Sequence, residues 1–105
     1  MDERHLTVLI ADDTTEERAA LRETLWHDKS ARYTVIEAET GALALELCRT
    51  QIPDCLILNH DLPDLSGLDV LKQLCAETGT SPCPVVMLIE EGDARLAVAA
   101  MRKVV

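Results

Sequence analysis

Short apolar segments alternate along this chain with longer segments in which apolar residues recur at helical spacing. The apolar segments cover residues 6–11, 33–38, 55–58 and 85–89. Each is too short for an ordinary helix, so each predicts a buried strand. Strands that are apolar on both faces and alternate with helices are typical of a parallel sheet covered on both sides. The sequence therefore predicts one α/β domain over residues 1–105, and right-handed crossovers favour the strand order 2-1-3-4.

A helix is predicted after each strand. The first begins at Thr14 or Thr15, and Glu16 and Glu17 lie in its first turn, where the helix dipole favours acidic side chains. The residues predicted to face the core are Arg18 (through its stem), Ala20, Leu21 and Leu25 in the first helix, Ala44, Leu45 and Cys48 in the second, Leu68, Leu71, Leu74 and Cys75 in the third, and Ala97, Ala100, Met101 and Val104 in the fourth.

The charge of the chain excludes several classes of partner. A formal net charge of −9 argues against binding nucleic acid, and it also disfavours an anionic membrane surface. No apolar run approaches the roughly 20 residues of a membrane-spanning helix. The N-terminal residues 1–4 (Met1-Asp2-Glu3-Arg4) are acidic in character and lead directly into a strand, which is not the pattern of a signal peptide. We therefore expect a cytoplasmic protein without nucleic acid or membrane partners.

The cysteines do not indicate a metal or disulfide framework. Cys48, Cys55, Cys75 and Cys83 form no C-x-x-C pair and have no histidine at ligand spacing, so a zinc site is not expected. A chain that can build an aliphatic core has little need of disulfides. We expect these residues to be small core-filling thiols in a reducing cytosol.

Polar side chains follow two strands that the topology makes neighbours. Asp12 and Asp13 follow the first strand, and Asn59 and Asp61 follow the third. Carboxyl ends of parallel strands meet at one edge of the sheet, where ligands of α/β proteins bind, and oxygen donors there suit Mg²⁺. No glycine-rich loop follows the first strand, so a dinucleotide or P-loop nucleotide site is not expected. The plainer alternative is that acidic residues lie at strand ends because loops are solvated.

Four segments carry a resemblance to a known family. They are residues 8–13, 37–45, 53–71 and 84–88, which occur in the family's order and spacing. With them the whole chain resembles the receiver domain of two-component response regulators. The resemblance implies a flavodoxin-like doubly wound fold, a phosphoryl group taken from a histidine kinase, and signalling through the last strands and helices.

The resemblance also assigns individual residues. Asp12 and Asp13 match the acidic pair that binds Mg²⁺, and Asp61 matches the residue whose backbone carbonyl completes the metal site. Pro63 and Gly67 match the turn that shapes the loop after the third strand.

The chain departs from the family at two positions that would contact the phosphoryl group. Asn59 falls on the phosphoacceptor aspartate, and a neutral amide is a very poor nucleophile. The change also removes one negative charge from the metal site, so we expect weakened Mg²⁺ binding. Ile89 falls on the switch Thr/Ser and cannot hydrogen-bond a phosphoryl group. Whether Asn59 is natural or an engineered Asp→Asn change stays open at this point. His60, Asp61 and Asp64 are disfavoured as substitute acceptors.

The family fold continues with a fifth strand and helix, and the family lysine follows that strand. We expect this strand, this helix and this lysine to lie beyond residue 105, and we therefore expect the chain to be a fragment of a longer multidomain signalling protein. The fourth strand would then be an apolar edge, which favours a homodimer through that edge or through the last helix.

Three functions are compatible with these residues. The favoured one is a degenerate receiver module, not an enzyme, that acts by contact with a histidine kinase or with attached sensor or output domains. The second is a working phosphoacceptor receiver with an engineered or atypical residue at position 59. The third is a small metal-dependent flavodoxin-like enzyme, which is disfavoured because no base, nucleophile or substrate pocket can be named.

Overall fold

A computed structural model of the protein describes residues 4–79 and 82–89. Within these residues it contains four strands and three helices, and the predicted fourth helix lies outside them. The elements in chain order are β1 (His5–Ala11), α1 (Thr15–His27), β2 (Arg32–Ala38), α2 (Gly41–Gln51), β3 (Cys55–Asn59), α3 (Gly67–Thr78) and β4 (Val85–Leu88). The strands are parallel and their order is β2-β1-β3-β4, which confirms the predicted α/β topology.

The register brings the carboxyl ends of the central strands together. Ala11, the last residue of β1, lies opposite Leu58, the residue before the end of β3. Asn59 ends β3 opposite Leu88 of β4. The residues that follow β1 and β3 therefore leave the sheet side by side at one edge.

The core between the sheet and helices α2 and α3 is aliphatic. In α2, the predicted residues Ala44, Leu45 and Cys48 are buried, and in α3 Leu71 and Leu74 are buried. Full burial of a leucine side chain contributes roughly 1.5–3 kcal/mol, so these contacts hold both helices on the sheet. The spacing argument omitted one fully buried α3 residue, Val70.

Helix α1 packs differently from the prediction in one position. Arg18 is its buried residue, and Leu21 and Leu25 are half-buried, as expected from their spacing. Ala20 is exposed, so its predicted core position is wrong. The reason is geometric, because residues two apart in a helix point to different faces.

Local signals define the ends of the helices. Thr40 and Ser66 are the N-caps of α2 and α3, and their hydroxyl groups accept hydrogen bonds from the N–H groups of Leu43 and Asp69. Thr14 caps α1 with its backbone alone. Gly79 ends α3 at φ 85°, in the left-handed region that glycine favours.

The described residues also bear on two further predictions, which concern membrane spans and cysteines. No helix in residues 4–79 and 82–89 is long and apolar enough to cross a membrane. The four cysteines are present as thiols, and Cys48 and Cys83 are buried, as expected for core-filling residues.

Candidate functional site

Asp12 lies fully buried at the carboxyl edge of the sheet. Its N–H group donates to the carbonyl of Ala38, and its carboxylate oxygen Oδ1 accepts from the N–H of Thr14 at 2.8 Å. Its second carboxylate oxygen, Oδ2, is buried and accepts no hydrogen bond from the described part of the chain. A buried carboxylate oxygen without a partner is costly, unless a cation or a proton compensates it.

A buried guanidinium group fixes the backbone on which Asp12 lies. Arg18 donates from Nη1 to the backbone carbonyl of Asp12 at 2.7 Å, and from Nε to Glu37 Oε1 at 2.8 Å. The other carboxylate oxygen of Glu37 accepts from Arg22 Nη1 at 2.7 Å. The start of α1 is thereby tied to both β1 and β2.

Asn59 uses both ends of its amide. Its Oδ1 accepts from the N–H of Asp61 at 3.1 Å, and its Nδ2 donates to Glu17 Oε2 at 3.4 Å. The second of these bonds requires a donor at position 59. A carboxylate at the same place would face the carboxylate of Glu17 instead.

Glu17 is the residue of this site that the sequence analysis did not recognise. Its pKa is raised above 4.5, first because its protonated form can hydrogen-bond the carboxylate of Asp12, a bond that the ionised form cannot make, and then because the charges of Asp12 and Asp13 oppose its ionisation. In the sequence alone, the position of Glu17 is explained by the helix dipole, as is that of Glu16. Its place in the first turn of α1 is a signal that could have identified it. Side chains of a helix lean towards the N-terminus of that helix, and the N-terminus of α1 lies at the strand ends.

A shallow pocket of about 350 Å³ opens beside these residues. Three residues that the sequence placed at the site share its wall, namely Asn59, Asp61 and Ile89. Ile89 gives this wall an alkyl group and no hydroxyl. The described residues that line it are Glu17, Ala20, Leu21, Asn59, Asp61, Leu88 and Ile89.

The remaining predicted site residues lie outside that wall. Asp12 is buried behind it, and Asp13 is exposed, with Oδ1 3.4 Å from the hydroxyl of Thr14. The Nδ1 atom of His60 is buried and forms no hydrogen bond with the described residues. His60 is not among the described residues that line the pocket.

The loop after β3 turns tightly because Gly67 has no side chain. The N–H of Gly67 donates to the carbonyl of His60 at 2.8 Å. A Cβ atom at this position would lie 2.8 Å from His60 Cα and 2.9 Å from the Asn59 carbonyl oxygen. Neither backbone atom can move without displacing the end of β3, so this close approach requires glycine.

Asp64 ties the same loop to the N-terminus of α2. Its carboxylate accepts from the N–H groups of Gly41 at 2.7 Å and Ala42 at 2.9 Å. These bonds, with that of Ala42 contributing most, lower the pKa of Asp64 below 3.8. The loop beside the candidate site is therefore held by a helix terminus, a favourable place for a carboxylate.

The donor set at this edge fits a hydrated Mg²⁺ ion. No three His, Cys, Asp or Glu side chains within residues 4–79 and 82–89 are grouped so as to hold a metal ion. Mg²⁺ does not require such a group, because it commonly takes one or two carboxylates and keeps several waters. The unpartnered Oδ2 of Asp12 is the observation that favours a cation here.

Comparison with known proteins decides the family. The response regulator receiver domain family matches residues 8–104 of the chain. This chain is a receiver domain. Receiver domains are regulatory domains of two-component signalling that work with histidine kinases and output domains and typically bind Mg²⁺, so the resemblance drawn from the four sequence segments is confirmed at that level.

In two curated relatives of this receiver domain the matching segment is only part of a larger protein. The transcriptional regulatory protein KdpE of Mycobacterium tuberculosis is 39% identical over 94 residues, which cover 90% of this chain and 39% of KdpE. Histidine kinase P4 of Formosa agariphila is 32% identical over 82 residues, which cover 78% of this chain and 6% of the kinase. The chain thus spans well under half of the length of these two relatives.

Solved structures have the same fold. The response regulator domain of CheB from Thermotoga maritima superposes with a TM-score of 0.81 at 26% identity, over 97% of this chain and 75% of that one. The receiver domain of NarL from Mycobacterium tuberculosis gives a TM-score of 0.82 at 23% identity, over 98% of this chain and 80% of that one. The flavodoxin-like architecture of the receiver domain is therefore established.

Proposed function

We propose that this receiver domain does not accept a phosphoryl group at position 59 and that it regulates other proteins by direct contact. The observation that carries the proposal is the role of Asn59 as an amide. Its Nδ2 donates to Glu17, which an unprotonated carboxylate cannot do, while its Oδ1 accepts from the N–H of Asp61.

A second residue of the pocket wall supports the same proposal. Ile89 lies in the same pocket as Asn59 and carries only alkyl groups. The family's hydroxyl at this place would bond a phosphoryl oxygen, whereas isoleucine offers no donor. A phosphoryl group at position 59 would therefore lack both its covalent attachment and one of its hydrogen bonds.

Mg²⁺ binding is retained in our proposal, although weakened by Asn59. Asp12, Asp13 and the backbone carbonyl of Asp61 would hold the ion. When bound, Mg²⁺ would offset the negative charge that gathers at this edge of the sheet. The loss of one carboxylate at position 59 lowers the charge that attracts the ion, so we expect weaker binding than with aspartate there.

Partners are inferred from charge and from the sheet edge. The net charge of −9 disfavours nucleic acid, and we propose a histidine kinase or an attached sensor or output domain as the partner. Within the described residues β4 is an edge strand, and Val86 on it is half exposed, which supports a homodimer through that edge. We further propose a cytoplasmic, non-enzymatic module that forms part of a longer signalling protein.

A second candidate is a working receiver whose residue 59 is atypical or engineered. It is favoured by the scaffold around the acceptor position, because Gly67 still shapes the loop and Asp12 keeps an oxygen free for a cation. Under this candidate only the acceptor atom is missing. Asn59→Asp would then be sufficient to restore phosphoryl acceptance.

Beryllium fluoride with Mg²⁺ separates the two candidates by calorimetry, since it forms a phosphoryl-like adduct only on a carboxylate. Our proposal predicts no saturable heat when beryllium fluoride is titrated into the unsubstituted chain at a constant, saturating Mg²⁺ concentration. Saturable binding that disappears in Asp12→Asn would contradict it. If Asn59→Asp alone gives tight binding, the second candidate describes the site better.

A further inference from the structure

Glu17 is placed to control access to position 59. It lies in the first turn of α1, its Oε2 atom is 3.4 Å from Asn59 Nδ2, and it forms part of the pocket wall with Asn59 and Ile89. The family resemblance assigns Glu17 no role, and the receiver positions discussed above do not include it.

We propose that Glu17 is a second barrier to phosphoryl acceptance, independent of Asn59, and that Asn59 and Glu17 form a matched pair. This inference rests on the proposed function, since it explains how the site is adapted to an amide. Asn59 donates a hydrogen bond from Nδ2 to the carboxylate oxygen Oε2 of Glu17. Glu17 in turn places a carboxylate oxygen 3.4 Å from the side chain at the acceptor position.

The argument is electrostatic. Phosphoryl donors carry negative charge, and any that approached position 59 through this pocket would meet the carboxylate of Glu17 before reaching the acceptor. A carboxylate at position 59 would lie about as close to Glu17 Oε2 as Asn59 Nδ2 does, at 3.4 Å, so the two negative charges would repel each other and would together oppose an approaching phosphoryl donor.

The alternative role of Glu17 is favourable contact with the dipole of α1, which Glu16 shares. Both residues are acidic, exposed and in the same turn. Glu16 does not line the pocket. Glu16→Gln is therefore a matched control that removes the same charge from the same turn without touching Asn59.

The test uses the full chain in three variants: Asn59→Asp, Asn59→Asp with Glu17→Gln, and Asn59→Asp with Glu16→Gln. Each is incubated with acetyl phosphate and Mg²⁺ and followed by intact mass. In the reaction the phosphorus–oxygen bond to the acetyl group breaks, acetate leaves with the electron pair, and the introduced carboxylate oxygen forms the new bond to phosphorus. The Glu17→Gln variant should be phosphorylated about tenfold faster or more than the other two.

Equal rates in the three variants would overturn the inference. If none of them is phosphorylated, a double-mutant cycle decides, with urea unfolding midpoints measured in EDTA. Asn59→Asp should lower the urea midpoint both in the otherwise unsubstituted chain and in the Glu16→Gln background. In the Glu17→Gln background the decrease should be less than about half as large. An equal decrease in all three backgrounds would contradict the pairing. Phosphorylation of the unsubstituted chain would instead overturn the proposed function.

Discussion

Arg18 and Asp12 are joined by a 2.7 Å hydrogen bond from the guanidinium Nη1 to the backbone carbonyl of the aspartate. Arg18 is buried, and its Nε also pairs with Glu37. A positive charge from α1 therefore holds the peptide that carries the acidic pair, while Glu37 on β2 holds the guanidinium. This arrangement orients the acidic edge of the sheet before any ligand is present.

Replacing Arg18 should cost more stability than replacing its neighbour Arg22, although both pair with Glu37. Arg18→Met leaves the half-buried Glu37 with one partner and removes the bond to Asp12, so we expect a loss of about 2 kcal/mol in the free energy of unfolding. Arg22 is 44% exposed, and Arg22→Met should cost less than about 1 kcal/mol. Urea unfolding measures both, and equal losses would refute this role of Arg18.

Gly67→Ala should destabilise the domain by about 1–3 kcal/mol because of overpacking. The added Cβ would lie 2.8 Å from His60 Cα, which is closer than real Cβ atoms approach backbone atoms. Gly79→Asn is the control, because Gly79 has a positive φ of 85°, which asparagine tolerates, and a Cβ added there would have no atom of the described residues within 4 Å. The free energy of unfolding from urea titration checks both. A Gly67→Ala variant as stable as the unsubstituted chain would show that the loop can yield.

The contact between Asp64 and α2 predicts a dependence on pH. The folded pKa of Asp64 is lowered by the N–H groups of Ala42 and Gly41, so its ionised form is stabilised by folding. Its contribution is present at pH values above the unfolded pKa and is lost as the pH falls below 3.8 through the folded pKa. Thermal unfolding of Asp64→Asn should therefore show a lower midpoint than the unsubstituted chain at neutral pH. The two midpoints should converge in acid, and a constant difference at every pH would argue against this contact.

The buried, unpartnered Oδ2 of Asp12 predicts that Mg²⁺ stabilises the fold. At a Mg²⁺ concentration about ten times the Kd, the gain in unfolding free energy should be about 1.4 kcal/mol. Sodium chloride at matched ionic strength should not reproduce this gain, and Asp12→Asn should abolish it. Asn59→Asp should lower the Kd. A gain that persists in Asp12→Asn would place the ion elsewhere.

The sequence predicted the elements of the fold because its patterns are local. Apolar strands and helical spacing located β1 to β4 and the inner faces of α2 and α3. Ala20 was assigned wrongly and Val70 was missed, since the exact face that a helix buries depends on how it lies on the sheet. Propensity and spacing do not contain that orientation.

The site was predicted in part for a similar reason. Asn59, Asp61 and Ile89 follow strand ends, so the topology alone brought them to one edge. Glu17 and Asp64 act from other segments, one through Asn59 and the other through α2. Such pairings between distant residues depend on the register of packing, and a pattern of single residues does not reveal them.

The central claim is that the side chain at position 59 does not take up a phosphoryl group. The most direct measurement is the intact mass of the unsubstituted chain after incubation with acetyl phosphate and Mg²⁺, followed by peptide mapping, with Asn59→Asp combined with Glu17→Gln as the control for a competent site. Our account predicts an unchanged mass for the unsubstituted chain. A stoichiometric, Mg²⁺-dependent gain of one phosphoryl group on the peptide that contains Asn59 would contradict it.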